Sequence, residues 1–566
     1  MNSLFLLLIA GLVFVFGYRF YAKLLALGVF RLDPNYSTPA HTLADGRDYS
    51  ACNRHLAFGH HLAALAAATT VVGGGVSLIW GWIPAFLWVV AGTAVAAGAY
   101  GLGSLWLSAR HPGLGPAGLA AKIIGPRAAD FFFVLGFFLL LILNAACAGL
   151  AAKLMAAFPA AVLPFWSLIV VALALGALLH RRAGAEILPA ALAVLPLSLL
   201  LIWLLGKAPV AITGAVHLDL RGGPVLTLDA VFLWVVLLFA YGYHSARLPQ
   251  HVLARPRGFL TALLLGALLF AFYGGMVVEH PALVAPEFNA PRAGPGVAPW
   301  LFVTLTSGAL AGFHLLVANG VTARQMERET DARYIGYGAA LVDGLIALSA
   351  ILIGAAAFDS AEEWNRFYAS WENLKDPQKI LLLYLNGLTR YATAIGVEAE
   401  FARTAAATVM ISLLVATLEA GLRIQRQLLT GFVQRRRLAV LQKDRTLLWL
   451  AVGASAAFAL HDGRGLGWLG TWPVFGVANQ VLALAGLLLL VLALKRARRP
   501  VIHALVPLGV LAVLANWGLA QLLAEWAAAE SWGLFGLGLL LFIMECGIGA
   551  SALMRLRPTT PAAPKT

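Results

Sequence analysis

The chain has 566 residues, of which 61% are hydrophobic and only 12% charged, with a formal net charge of +14. A soluble domain carries about 25% charged residues, so a chain this apolar cannot dress a water-facing surface and reads as a polytopic membrane protein. Its Lys and Arg residues sit in short clusters between apolar runs, with no basic stripe interleaved with aromatics, which sets nucleic acid aside as a partner.

A membrane crossing needs about 20 apolar residues. The first run, NSLFLLLIAGLVFVFG, is followed rather than preceded by basic residues, so it reads as a retained helix and not as a cleavable signal. Crossings are predicted near 2–22, 55–78, 82–108, 129–152, 163–179, 186–206, 228–245, 257–279, 298–320, 335–357, 400–422, 446–461, 471–494, 501–523 and 532–553, about 15 in an all-α architecture. With the N-terminus outside and the C-terminus cytoplasmic, the inner segments are 19–54, 109–128, 180–184, 246–257, 322–334, 423–445, 495–500 and the tail. They hold 30 of the 40 Lys and Arg residues, while DSAEEWNRFYASWENLKD (359–376) makes the opposite face acidic. KILLLYLNGLTRYATAIG (379–396) then does not cross and reads as a re-entrant or surface helix.

Polar residues inside these runs are costly and mark candidate functional positions. His60 and His61 are neighbours on one helix, about 100° apart, and lack the i, i+4 spacing of a metal pair. In the same helix Thr69, Thr70, Gly73, Gly74 and Gly75 admit two readings. One is close packing through small residues; the other is a discontinuous helix whose exposed N–H and C=O groups bind substrate or ion. Thr304, Thr306 and Ser307, with His314 beyond them, place hydroxyls and an imidazole in the 298–320 helix, either bonded back to the backbone or facing a site shared with 55–78. Asp343 is a lone carboxylate deep in its helix and a proton-relay candidate. Glu419 stands four residues before Arg423, as a local ion pair would. Tyr241, Tyr243 and His244 end the 228–245 helix, at a site or in an interfacial aromatic belt. Cys52, Cys147 and Cys546 show no disulfide or zinc spacing, and no G-x-x-x-x-G-K-[ST] loop is present, so neither a metal, another cofactor nor bound ATP is expected.

Five stretches carry a family resemblance. They are GYRFYAKLLALGVFRLDPNYSTPAHTLADGRDYSACNRHLAFGHHLAA (17–64), VLLFAYGYHSARLPQHVLARPRGF (236–259), GALAGFHLLVANGVTARQMERETDARYIGYGAALVDG (308–344), LLVATLEAGLRIQRQLL (413–429) and WPVFGVANQVLALAGLLL (472–489). Together they resemble the carbon starvation protein A family of bacterial inner-membrane transporters. The resemblance implies a transporter for small carbon sources such as pyruvate or short peptides, coupled to protons with sodium as the alternative. It also implies a five-plus-five inverted-repeat, leucine-transporter-type core with extra peripheral helices. On that scheme 1–54 is a peripheral helix and loop, 55–422 the core, and 423–566 a set of additional C-terminal helices. The 55–78 helix is then the first of the core, 228–245 the sixth and 298–320 the eighth. This chain departs from the family at AAATTVVGGG, where a proline-containing break is usual, at AYGLGSLWLSAR (99–110), which lacks an acidic residue, at ANGVT (318–322) and at PRGF (256–259).

The function expected is secondary active import of a small carboxylate-bearing solute across the bacterial cytoplasmic membrane. Thr69, Thr70, Gly73, Gly74, Gly75, Tyr241 and His244 would bind the substrate. His60, His61, Thr304, Thr306, Ser307, His314, Asp343 and Glu419 would bind the coupling ion or proton. No His, Ser or acidic constellation has catalytic spacing, so an enzyme is not expected. A membrane solute sensor or scaffold without transport is the rival from another class, and no signalling domain is read within the chain. The charge asymmetry makes a direct prediction. After replacement of the three native cysteines, Ser360→Cys and Ser531→Cys should react with an impermeant thiol reagent from the periplasm of intact spheroplasts, and Gln434→Cys should not.

Overall fold

The structure is a computed structural model and describes residues 2–66, 68–181, 187–214, 216–218, 226–291, 294–305, 310–438 and 443–556. It is a bundle of long helices, with one short antiparallel hairpin that pairs Val216–Leu218 with Leu226–Leu228. In chain order the principal helices are α1 (Ser3–Val29), α2 (Arg54–Leu65), α3 (Ala68–Trp80), α4 (Trp82–Ala109), α5 (Pro126–Ala157), α6 (Pro159–Arg181), α7 (Ile187–Leu205), α8 (Ala230–Arg247) and α9 (Ala254–Glu279). They continue as α10 (Val297–Thr304), α11 (Gly312–Gly320), α12 (Arg333–Ala356), α13 (Pro377–Ala394), α14 (Ala399–Arg436), α15 (Asp444–Leu460), α16 (Leu469–Arg496), α17 (Ile502–Ala528) and α18 (Trp532–Arg555).

Among the described residues 12 helices are long and apolar enough to cross a membrane, or 13 if α2 and α3 count as one bent span. The expected number of about 15 is therefore not reached. The 298–320 crossing divides into α10 and α11, each under half of a span's length, and α15 has only 17 residues. The 379–396 stretch forms α13, an amphipathic helix that is not among the apolar spans and buries Ile380, Tyr384, Leu388 and Tyr391 against the bundle. Outward-facing positions such as Leu12, Phe270 and Val513 are exposed large hydrophobics, as a lipid-facing surface requires. Among the described residues that hairpin is the one sheet, and the protein is a multi-pass helical membrane protein.

The interior of the bundle is built on α14, a 38-residue helix about 57 Å long that continues well past the expected end at residue 422. Together with α12 and α16 it is almost wholly buried, whereas α1, α7, α17 and α18 lie at the periphery. Small residues let backbones touch in this interior. A Cβ on Gly59 of α2 would fall 2.6 Å from Phe259 Cα of α9, and one on Gly258 would fall 2.6 Å from His60 Cα. Gly101 of α4 and Gly336 of α12 face each other in the same way.

The glycine triplet is explained by the same packing. Helix α3 is continuous through Gly73, Gly74 and Gly75, and the break in this span comes earlier, at Ala66, where α2 and α3 meet at 52°. Each glycine faces a different neighbour. A Cβ on Gly73 would lie 2.7 Å from the Thr304 carbonyl oxygen, one on Gly74 2.8 Å from that of Ala347, and one on Gly75 would collide with Ile380. At the C-terminal end of α3, Gly81 turns the chain into α4 with φ +93°, a conformation that favours glycine. Overpacking of such a contact costs about 1–3 kcal/mol. Gly74→Leu should therefore lower the melting temperature of the purified protein by about 1–3 °C. Gly453→Leu, on an open face of α15, should leave it within about 1 °C.

Candidate functional site

Two helices stop inside the bundle, and the freed backbone groups of both are met by side chains from elsewhere. At the end of α2, Thr417 of α14 donates its hydroxyl to the Ala64 carbonyl at 3.1 Å. At the end of α10, Gln480 of α16 donates to the Phe302 carbonyl at 2.9 Å and Trp88 of α4 to the Leu305 carbonyl at 3.2 Å. At the start of α11, the Phe313 N–H donates to Asn479 Oδ1 at 2.8 Å. The adjacent amides of Asn479 and Gln480 thus bracket the interruption between α10 and α11. Helix α3 packs Gly73 against the last residues of α10, so the two interruptions adjoin.

Three residues from three helices converge beside them. Thr70 of α3 donates its hydroxyl to Asp343 Oδ1 of α12 at 2.8 Å. His314 of α11 places Nε2 3.6 Å from Asp343 Oδ2, within ionic range but beyond hydrogen-bond reach. All three side chains are buried. Further along α11, the buried Asn319 amide has no partner among the described residues. Thr69 is half-buried in the first turn of α3, and Thr304 contributes its carbonyl to the contact with Gly73. Thr306 and Ser307 lie outside the described residues.

His60 and His61 point apart on α2, yet both reach the segment that follows α11. His61 Nδ1 lies 2.7 Å from Thr322 Oγ1, and His60 Nδ1 lies 3.2 Å from the Gln325 amide nitrogen. Gln325 is the hub of a buried polar layer. Its oxygen accepts from Arg255 Nε at 2.8 Å and its amide donates to Gln250, while Arg255 also donates to the Ser50 carbonyl at 2.6 Å.

Glu419 is not in a local pair with Arg423. It accepts from the Ser245 hydroxyl of α8 and pairs with Arg257 of α9 at 3.1 Å, and Arg257 in turn donates to Tyr241 at 3.2 Å. Arg423 instead donates to the carbonyls of Ser245 and Leu248 at 2.5 and 2.8 Å, closing the C-terminus of α8. The reason is geometric: α8 and α9 bring partners within reach of both side chains, and each is buried too deeply to go unpaired. Tyr243 stacks on Trp449 at 4.1 Å, and the exposed His244 meets it edge-on at 5.4 Å, with no bond to Asp343 or Glu419 among the described residues. A separate cavity of about 520 Å³ lies at the opposite end of α2 from the break, lined by Asn53, His55, Phe58, Leu188, Phe259 and Tyr334.

Thr70, Asp343 and His314 are therefore brought together, whereas Tyr241 and Glu419 form a second centre and His244 neither. The partners that the sequence reading passed over are Thr322, Gln325, Arg255, Arg257, Thr417, Asn319, Asn479 and Gln480. A signal existed for the last two, since ANQ is an amide pair within an otherwise apolar span. No metal-binding cluster of His, Cys, Asp and Glu occurs among the described residues.

The relatives agree with a membrane-transport setting. Over 562 residues the chain is 27% identical to the peptide transporter CstA of Bacillus subtilis (strain 168), covering 91% of this chain and 90% of that one. It is 26% identical over 560 residues to the peptide transporter CstA of Escherichia coli (strain K12), covering 88% of this chain and 78% of that one. Against the pyruvate/proton symporter BtsT of the same strain it is 30% identical over 357 residues, which covers 62% of this chain and about half, 49%, of the symporter. The family model described as carbon starvation protein CstA matches residues 2–365 and 377–517, and the chain belongs to that family.

Proposed function

We propose that this protein is a secondary active transporter that imports a small carboxylate-bearing carbon source, a pyruvate-like organic acid or a short peptide, with protons as the coupling ion. The observation that carries this reading is the buried Thr70–Asp343–His314 constellation where two interrupted helices adjoin. The names of the relatives, peptide transporter and pyruvate/proton symporter, point the same way.

Interrupted helices supply both kinds of charge that such a task needs. The N-terminal ends of α3 and α11 carry partial positive charge and suit a substrate carboxylate, and the C-terminal ends of α2 and α10 suit a cation or proton. Asp343 is the proton acceptor in this reading. Ionised, it takes the Thr70 hydroxyl bond and attracts His314. Protonated, it loses its hold on His314, which is then free to shift with α11. The amide of Asn319, without a partner among the described residues, offers the substrate a further contact from the same helix.

The architecture that accommodates this is a five-plus-five inverted repeat in a bacterial cytoplasmic membrane, with the N-terminus outside and the C-terminus inside. The α2–α3 pair is its first helix, α8 its sixth and the α10–α11 pair its eighth. Helix α16 lies outside the repeat but reaches in to cap α11.

The test is uptake by proteoliposomes offered labelled pyruvate, lactate and dipeptides, with each gradient imposed in turn. An inward proton gradient should accelerate accumulation of one of these solutes and a sodium gradient should not. A sodium requirement that survives collapse of the proton gradient and membrane potential would reject proton coupling, and bound solute without flux would favour a sensor. Asp343→Asn should abolish concentrative uptake while sparing solute exchange; full concentrative uptake in this variant would remove Asp343 from the mechanism. Thr70→Val deletes a hydrogen bond to a charged group, worth ~1.5–3 kcal/mol, and should weaken concentrative uptake by roughly tenfold or more.

A further inference from the structure

Far from the helix interruptions, a cleft of about 630 Å³ opens at the start of α5. Its polar lining comes from three sequence-distant segments: Arg127 in the first turn of α5, Arg496 at the end of α16, and Ser551 with Arg555 in the last turns of α18. Two of the three guanidinium groups are anchored by the chain that leads into α5. Arg496 Nη2 donates to the Ile123 carbonyl at 2.5 Å, and Arg555 Nε donates to the Ile124 carbonyl at 2.8 Å. Each bond uses one of five guanidinium N–H donors and holds the remainder in place.

Nothing acidic answers this charge. Among the described residues none of the three arginines forms an ion pair. The nearest carboxylate along α5, Asp130, is taken by Arg435 and Arg436 at 3.9 and 2.8 Å. The start of α5 adds to the imbalance. Gly125 enters the helix at φ +147° and has no side chain to cap it, and Pro126 follows, so the N–H groups of Arg127 and Ala128 meet no capping oxygen. A Cβ on Gly125 would lie 3.6 Å from Arg555 Nη2, so the guanidinium rests against bare backbone. Beside the cleft, Leu553 and Met554 of α18 are 65% and 59% exposed, on a helix apolar enough to cross a bilayer. The cleft therefore stands where acyl chains end and headgroups begin.

We propose that this cleft binds the phosphate of an anionic phospholipid, at the leaflet that faces the cytoplasm in the orientation given above. A phosphate diester accepts bidentate bonds from arginine and sits well on an uncapped helix start. The volume is within the range of small-molecule sites, and a basic pocket between helix ends on the inner side suits a lipid headgroup. Bound there, the lipid would clamp α18 and α16 to α5.

The test uses the purified full-length chain stripped into neutral detergent. It is then supplied with phosphatidylglycerol, with phosphatidylcholine, or with millimolar inorganic phosphate, and read by native mass spectrometry and melting temperature. Phosphatidylglycerol should remain bound and raise the melting temperature by about 2–4 °C, while phosphatidylcholine and inorganic phosphate should do neither. The combined Arg127→Gln, Arg496→Gln and Arg555→Gln variant should lose both effects. Should that variant fail to fold, Arg127→Gln alone, whose guanidinium holds no bond within the described structure, should cut lipid retention at least twofold. Equal retention of the two lipids, or undiminished phosphatidylglycerol retention in the variants, would overturn the proposal. A melting shift produced by inorganic phosphate alone would overturn the lipid in favour of a free anion.

Discussion

A helix that ends inside a bilayer leaves N–H and C=O groups where no water can reach them, and each one left unpaired costs several kcal/mol. This protein ends two helices in that way, and the bundle is arranged around satisfying them. Thr417 reaches Ala64 from α14, Gln480 and Asn479 reach both sides of the second interruption from α16, and Trp88 reaches Leu305 from α4. That requirement accounts for why α14 and α16, although strongly apolar, carry polar residues at these depths and are among the most buried helices. It also accounts for the glycines of α3, which bring its backbone against α10 and α12 close enough for Thr70 to meet Asp343.

On the side of the interruptions that faces the basic clusters lies a layer of buried polar bonds. Gln325 ties the segment after α11 to His60 of α2 and Arg255 of α9, and the Arg257–Glu419 pair ties α9 to α14. Such a pair adds little net stability, but breaking it by removing one partner costs about 3–5 kcal/mol. Arg426 extends the layer outward through Asp48 and Asp444 at 2.7 and 2.6 Å.

The placement of most long apolar helices, though not the expected number of about 15, was legible in the chain, because twenty apolar residues in a row have one stable solution in lipid. Where that rule weakens, so did the reading. The 298–320 stretch reads as one apolar run in which Ser307-Gly308 is the sole local break signal; the division at Leu305 is sustained by Asn479 and Gln480, about 170 residues away. The three glycines of α3 left a break and close packing equally open, because glycine suits both. What decides between the two is the identity of the neighbour, here the carbonyls of Thr304 and Ala347 and the side chain of Ile380. The Glu419–Arg423 spacing suited a local pair, and that pair was lost to partners on α8 and α9.

By itself the sequence determined that this is a polytopic helical membrane protein, which residue types lie buried where charge is expensive, and, through five long stretches, the family. Those properties follow from composition, from run length and from motifs that are continuous along the chain. The tertiary structure alone decided which buried groups meet. It joined Thr70 to Asp343 and His314, gave His60 and His61 partners three residues apart, left His244 exposed on α8, and set three arginines, without an ion pair among the described residues, around the start of α5. Hydrogen bonds and ion pairs act over about 3 Å between groups that lie hundreds of residues apart, and only the packing of helices settles which of them come within that distance.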